Sequence, residues 1–189
     1  MKRIGILGGT FDPPHLGHLI IAEETRLALD LDEIWFIPSY TPPHKTSAKS
    51  TVEDRISMVK KAIEANPSFT LNTIEVERVG RSYTFDTMKA LRDAYPMIDF
   101  YFIIGADMVE YLPKWDRIDQ LMDLVTFVGV KRPGYQLNTP YPIVEVDIPM
   151  IDLSSTCIRN RLYNRKPAHY LIPETVYSYI KEKQLYENR

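Results

Sequence analysis

Short apolar runs alternate along this chain with segments in which apolar residues recur every three or four positions. The apolar runs predict β-strands, at residues 3–7, 33–38, 70–77, 100–105, 125–131 and 143–148. Two of them, Ile103-Ile104 and the run from Val125 to Val128, are apolar on both faces. Such runs are typical of parallel strands covered on both sides by helices.

The segments between these runs have helical periodicity. Shared apolar faces are formed by Leu16, Leu19, Ile20 and Leu27 in the first helix, by Val52, Ile56, Val59 and Ile63 in the second, and by Met88, Leu91 and Tyr95 in a third that ends at Pro96. A last helix is predicted to begin near Pro173. Ser50 and Glu53 predict a capping box before the second helix.

Repeated strand–helix units favour a parallel sheet with right-handed crossovers. We therefore expect an α/β fold, a single Rossmann-like three-layer sandwich with a mainly parallel central sheet, formed by one domain over residues 1–189. Ligands bind such sheets at the carboxyl ends of the strands. Three segments follow predicted strands, at residues 8–18, 38–45 and 105–107, and they are expected to line one cleft.

Composition narrows the function classes. The net charge of −2 gives no sign of the basic surface that nucleic acid or an anionic membrane would require. Cys157 is the single cysteine, so an intrachain disulfide is excluded and a reducing compartment is favoured. No apolar stretch has the ~20 residues of a membrane span. We therefore expect a cytoplasmic protein. The sequence does not determine its oligomeric state, and a homo-oligomer is possible.

The most informative motif is GGTFDPPHLGH at residues 8–18, between the first strand and the first helix. Gly8 and Gly9 allow backbone N–H groups to approach a phosphate closely. His15 and His18 are three residues apart, so they share one face of a helical turn, and Gly17 keeps the surface between them flat. Their imidazoles can donate hydrogen bonds to phosphate oxygens. Two alternatives are a pair of surface histidines and a metal-binding pair.

A second motif, DLSSTCIR at residues 152–159, has three hydroxyl residues at a predicted helix start. Ser154, Ser155 and Thr156 offer side-chain and backbone donors, and Arg159 lies one turn further on. This arrangement suits a polyphosphate. The alternative is an ordinary helix cap with an arginine that faces solvent.

Together the two motifs resemble the nucleotidyltransferase superfamily, with H-x-G-H near its start and S-S/T-x-x-R near its end. The chain is similar, more closely, to the family of bacterial nicotinate-nucleotide adenylyltransferases. That likeness also involves SYTFDT at residues 82–87, IIGADM at 103–108 and LPKW at 112–115. The matching motifs follow the family's order over nearly the whole chain.

The resemblance implies transfer of the adenylyl group of ATP to nicotinate mononucleotide, which yields deamido-NAD (nicotinate adenine dinucleotide) and pyrophosphate. Such enzymes use direct in-line attack without a covalent enzyme intermediate, with Mg²⁺ bound to the ATP phosphates. The partners would therefore be ATP and nicotinate mononucleotide, with no nucleic acid and no membrane.

The resemblance also implies roles for individual residues. The catalytic residues would be His15, His18 and Arg159. ATP would be bound by Gly8, Gly9, Thr10, Phe11, His15, His18, Gly105, Asp107, Ser154, Ser155, Thr156 and Arg159. The mononucleotide would be bound by Lys45, Tyr83, Thr84, Asp107, Tyr111, Trp115 and Arg132. Cys157 is expected to face the core rather than to act as a nucleophile.

Tyr83 and Thr84 open the third predicted helix, where free N–H groups could receive the nicotinate carboxylate. Trp115 could stack on the pyridine ring. Lys45 and Arg132 could instead be solvated surface charges.

Three other functions stay open at this stage. The acceptor could be nicotinamide mononucleotide or phosphopantetheine. The chain could be a nucleotide sensor without catalysis. It could also hold a divalent metal through His15, His18 and His44, although we expect no protein-bound metal site.

Overall fold

The computed structural model describes residues 1–40, 48–78, 80, 83–131, 137–149 and 151–187. Its strands are β1 (Lys2–Gly9), β2 (Glu33–Pro38), β3 (Phe69–Leu71), β4 (Ile98–Gly105), β5 (Thr126–Lys131) and β6 (Val144–Asp147). Its α-helices are α1 (Leu16–Ala28), α2 (Val52–Ile63), α3 (Ile74–Glu77), α4 (Thr84–Ala94), α5 (Ala106–Val109), α6 (Ile118–Met122), α7 (Ser155–Tyr163) and α8 (Glu174–Lys183). A short 3₁₀ helix spans Leu112–Lys114.

The six strands form one sheet in the order β3-β2-β1-β4-β5-β6, and every pairing is parallel. The predicted α/β sandwich with a parallel central sheet is confirmed. The strand order reverses between β1 and β4, whose carboxyl ends are Gly9 and Gly105. In open α/β sheets this reversal opens the crevice in which ligands bind.

Each face of the sheet is covered by its own apolar cluster. Helices α1, α2, α7 and α8 pack on one face, with buried residues that include Ala22, Met58, Ile158 and Val176. The cluster on the other face includes buried residues of α4, α5 and α6, namely Phe85, Met88, Leu91, Val109, Ile118 and Leu121. Strand residues alternate between the clusters, as the two-residue period of a strand requires.

The predicted strand at residues 70–77 was wrong in its second half. Strand β3 ends at Leu71 and helix α3 begins at Ile74. The Asn72 side chain accepts a hydrogen bond from the Ile74 N–H at 3.0 Å, which turns the chain out of the sheet. The alternation of Ile74, Glu75, Val76 and Glu77 imitates a strand, so periodicity did not reveal this turn.

Three smaller predictions about helices were also wrong. Thr51, not Ser50, caps α2, and its hydroxyl accepts from the Asp54 N–H at 3.1 Å. Leu27 is 59% exposed, because the buried face of α1 is formed by small residues instead. Cys157 is exposed rather than core-facing, since the buried face of α7 is formed by Ile158 and Leu162.

Within the part of the chain that the structure describes, no helix has the length and apolar character needed to cross a lipid bilayer. The cytoplasmic location stays a prediction.

Candidate active site

Two glycines, Gly8 and Gly9, leave the backbone without side chains at the carboxyl end of β1. Phe11 has a left-handed backbone, with φ +52°, and its ring lies against Gly9. A Cβ at Gly9 would be 3.1 Å from that ring, a tight contact that would displace the ring by a few tenths of an ångström. A Cβ at Gly8 would meet only the Phe102 ring, at an ordinary 3.6 Å. The protein's own packing does not require Gly8 to be glycine, whereas close approach of a ligand would.

The two histidines form a stacked pair at the start of α1. His15 is the N-cap residue and His18 is in the first turn, with ring centroids 3.7 Å apart and planes inclined by 25°. The His18 Nδ1 accepts a hydrogen bond from the His15 N–H at 3.1 Å. In the neutral ring this leaves the proton on Nε2, so His18 is held as an Nε2–H donor.

His15 is nearly enclosed and has an unsatisfied polar atom. Its exposed fraction is 6%, and burial lowers its pKa from 6.5 to about 4. Its Nδ1 has no hydrogen-bond partner among the described residues. A Cβ at Gly17 would lie 3.0 Å from this nitrogen, so only glycine leaves the ring in place. A buried imidazole nitrogen without a partner is costly, and a bound polar ligand would relieve that cost.

A cavity of about 380 Å³ lies between the start of α1 and the end of β4. Its lining combines His15, Asp107 and Glu110 with backbone at Gly17 and Gly105. Its apolar walls are Ile21, Ala106, Val130, Ile148, Ile151 and Leu153. The structure therefore brings the first motif and residues 105–107 to one cleft, as predicted from their positions after adjacent strands.

The start of α7 is fastened to the turn that carries the first motif. The Ser155 hydroxyl donates to the Pro13 carbonyl at 2.8 Å. The Arg159 guanidinium donates to the Asp12 carbonyl at 2.8 Å and to the Thr156 hydroxyl at 3.0 Å. Ser154 caps the helix and accepts from the Cys157 N–H at 3.2 Å. Both predicted anion-binding motifs are thus parts of one surface.

Of the predicted mononucleotide residues, Trp115 and Tyr83 lie towards the opposite face of the sheet, whereas Asp107 lines the cavity beside His15. Trp115 packs edge-on against Phe102 and Phe127, with centroid distances of 5.9 and 5.8 Å. A Cβ at Gly8 would meet this same Phe102 ring, so the ring lies between Trp115 and the end of β1. Tyr83 is the N-cap residue of α4 and its side chain does not cap the helix, while Tyr111 is 52% exposed.

Two buried charged residues beneath the turn were missed by the sequence analysis. Asp12 is 4% exposed, and Arg55 on α2 is 1% exposed. Arg55 donates to the carbonyls of Thr10 and Ser39 at 2.8 Å and to that of Tyr40 at 3.2 Å. Burial lowers the pKa of Arg55. The available signal was a charged residue on the apolar face of α2, between Val52 and Val59.

Four residues singled out from the sequence lie outside the described residues: His44, Lys45, Ser82 and Arg132. Their predicted roles stay predictions. Among residues whose positions are described, no group of three or more His, Cys, Asp or Glu side chains is placed to hold a metal ion. His15 and His18, the two described histidines of the metal-binding alternative, are not part of such a group.

The chain is similar to known proteins over nearly its whole length. The model of the cytidylyltransferase-like family matches residues 6–161. The probable nicotinate-nucleotide adenylyltransferase of Oceanobacillus iheyensis is 60% identical over 98% of this chain and 97% of its own. The nicotinate-nucleotide adenylyltransferase of Bacillus subtilis is 53% identical over the full length of both chains.

A solved structure with a similar fold is that of Plasmodium falciparum nicotinic acid mononucleotide adenylyltransferase in complex with NaAD. Its TM-score is 0.82 over 98% of both chains, at 21% sequence identity. At this identity the likeness supports the fold alone.

Proposed function

The chain belongs to the cytidylyltransferase-like family and, within it, to the nicotinate-nucleotide adenylyltransferases, and on that premise we propose its reaction. It transfers the adenylyl group of ATP to nicotinate mononucleotide and releases pyrophosphate. The observation that carries this proposal is the junction of the two motifs, where Ser155 and Arg159 bond to the turn that holds the histidines. That junction holds Arg159, whose guanidinium has N–H groups beyond the two used in these bonds, next to the turn with the histidines, where a triphosphate could contact both.

The reaction needs no nucleophile from the protein. A phosphate oxygen of the mononucleotide attacks the α-phosphorus of ATP, and the bond from that phosphorus to the oxygen bridging to the β-phosphate breaks. The electron pair leaves with pyrophosphate. Negative charge on the phosphate oxygens is redistributed during this step, so catalysis consists of positioning and charge stabilisation.

His18 is the residue best prepared to stabilise that charge. Its Nδ1 is occupied by the His15 N–H, which presents the Nε2–H as a donor with fixed ring orientation. Preorganised donors of this kind need no reorganisation as the transition state forms. His15 is neutral before ATP binds, because burial holds its pKa near 4. A phosphate group near its ring would raise that pKa.

Arg159 and the start of α7 would bind the β- and γ-phosphates. Arg159 is held by two protein acceptors, so its position does not depend on the ligand. Mg²⁺ enters this scheme as part of the Mg-ATP substrate, bound to the phosphate oxygens as a hard cation prefers. The nicotinate ring would lie near Trp115, with its carboxylate at the N–H groups that open α4.

Pyrophosphate release from Mg-ATP tests the proposal directly. Purified protein is supplied in parallel with nicotinate mononucleotide, nicotinamide mononucleotide, phosphopantetheine or no acceptor. We expect release with the nicotinate compound in strong preference, together with the dinucleotide as a second product on chromatography. Equal release with the nicotinamide compound would refute the proposed selectivity. ATP binding without release in any reaction would favour the nucleotide sensor.

A further inference from the structure

The buried carboxylate of Asp12 joins the turn to two distant parts of the chain. It accepts hydrogen bonds from the Lys49 N–H at 2.7 Å and the Ser50 N–H at 3.2 Å. It also accepts from the Ser50 hydroxyl at 2.5 Å and from the Tyr186 hydroxyl at 2.6 Å. None of the functional roles inferred from the sequence involves this carboxylate or Tyr186, and Ser50 was predicted only as a helix cap.

Tyr186 comes from the segment that follows α8. Its ring packs against the apolar cluster that contains α1, α2, α7 and α8. Burial and the neighbouring Asp12 raise the pKa of the phenol, which therefore keeps its proton and donates it to the carboxylate. The hydroxyl is also 3.2 Å from the Ser50 Oγ, so it contacts two members of the Asp12 cluster.

Asp12 connects this cluster to the proposed ATP site. Its backbone carbonyl accepts the Arg159 guanidinium at 2.8 Å, and its Oδ2 is 4.0 Å from the same Arg159 nitrogen. A shift of Asp12 would therefore move the acceptor that orients Arg159. The path from the Tyr186 phenol to Arg159 involves only one intervening residue.

We propose that Tyr186 is a positioning residue for ATP: its hydroxyl holds Asp12, and Asp12 holds Arg159 where the triphosphate binds. This inference rests on the proposed function, because it takes Arg159 as a phosphate-binding residue. It adds a residue that does not touch substrate and that lies far from both motifs in the sequence.

A second tyrosine offers a matched control. Tyr179 lies on α8 and donates its hydroxyl to the Asp54 carboxylate at 2.9 Å. This bond joins α8 to α2 and has the same chemistry as the Tyr186 bond, but it does not involve the turn. Removal of either hydroxyl takes one phenol–carboxylate bond from the same region of the protein.

The test compares Tyr186→Phe and Tyr179→Phe with the wild-type protein. We measure kcat, the KM for each substrate, the Kd for Mg-ATP by calorimetry without acceptor, and the melting temperature. For Tyr186→Phe we expect the KM and Kd for ATP to rise by about tenfold. The KM for nicotinate mononucleotide should stay within about twofold, because Trp115 and α4 lie on the other face. Tyr179→Phe should leave both ATP constants unchanged.

A purely structural role predicts a different pattern. Both tyrosine variants would then lower the melting temperature while the ATP constants stay at their wild-type values, and the proposal would be overturned. A rise in both KM values together would also contradict it, because the effect would not be specific to ATP.

The Kd for Mg-ATP, measured by calorimetry without acceptor, distinguishes failure of this inference from failure of the proposed function. If the wild type binds Mg-ATP but transfers no adenylyl group, the proposed reaction fails and the Kd comparison still decides the role of Tyr186. If transfer is normal and the Tyr186→Phe Kd is unchanged, only the inference fails. A wild type that does not bind ATP would overturn both.

Discussion

Acidification tests whether the buried His15 is neutral in the folded protein. Burial lowers the pKa of His15 from 6.5 to about 4. The unfolded chain therefore takes up this proton at a higher pH than the folded protein does. The contribution of His15 to the free energy of unfolding is therefore fully present above about pH 6.5, and it is lost as the pH falls towards about 4.

The size of the effect follows from the two pKa values. The full difference corresponds to about 3 kcal/mol of unfolding free energy, of which about 2 kcal/mol is lost by pH 5. Other groups also titrate in this range, so the wild type is compared with His15→Asn, which cannot take up the proton. We expect the wild type to lose about 2 kcal/mol more than the variant between pH 7 and pH 5.

Urea denaturation at both pH values measures this difference. The protein has four histidines, so the His15 resonance can be assigned in an NMR titration by its absence from the variant. Equal losses in the two proteins, together with a His15 resonance that titrates near pH 6.5, would refute the reasoning. Added ATP should raise the His15 pKa, because a nearby polyanion favours the charged ring.

Three further predictions concern single substitutions. His18→Ala should lower kcat by about 100-fold with an unchanged melting temperature. The control His169→Ala, at an exposed histidine, should leave kcat unchanged. A large fall in the melting temperature of His18→Ala would show that His18 has a structural role. Trp115→Ala should raise the KM for nicotinate mononucleotide. It should also lower the free energy of unfolding, measured by chemical denaturation, by about 2 kcal/mol, because two edge-on contacts with phenylalanine are lost. An unchanged KM would contradict the stacking role. Arg55→Lys should lower the free energy of unfolding by about 2 kcal/mol, because an ammonium cannot donate hydrogen bonds to all three carbonyls with the geometry of a guanidinium. A change near zero would show that the carbonyls accept hydrogen bonds from other donors.

Sequence patterns predicted the fold where local and tertiary preferences agree. The bounds of β2 match the predicted segment, because its apolar run is continuous. In α2 the predicted face was right for Val59 and Ile63, whereas Met58 and Ala62 are buried in place of Val52 and Ile56. The prediction failed after β3, where one hydrogen bond to the Asn72 side chain decides between strand and turn. It failed at Leu27 because the buried face of α1 is formed by Gly17, Ala22 and Thr25, which apolar periodicity does not identify.

The sequence predicted only those parts of the candidate site whose residues lie close together along the chain. His15, His18 and the residues that open α7 lie within short stretches, and their spacing indicated anion binding. The support beneath them joins residues that no spacing connects: Arg55 bonds to Thr10 and Tyr186 to Asp12. Whether a charged residue such as Arg55 is buried depends on tertiary packing, which a single sequence does not display.

The long separation of these contacts has a consequence for synthesis on the ribosome. The turn is held by partners that follow it by 142, 147 and 174 residues, at Ser155, Arg159 and Tyr186. The histidine motif leaves the ribosome first, but it must wait for the last of these residues before it is fixed in place. Contacts so distant along the chain form late and slow folding. A polypeptide that terminates before Ser155 would carry the complete motif together with Arg55 and still lack these three later residues, so we expect its turn to be less firmly held than in the full chain.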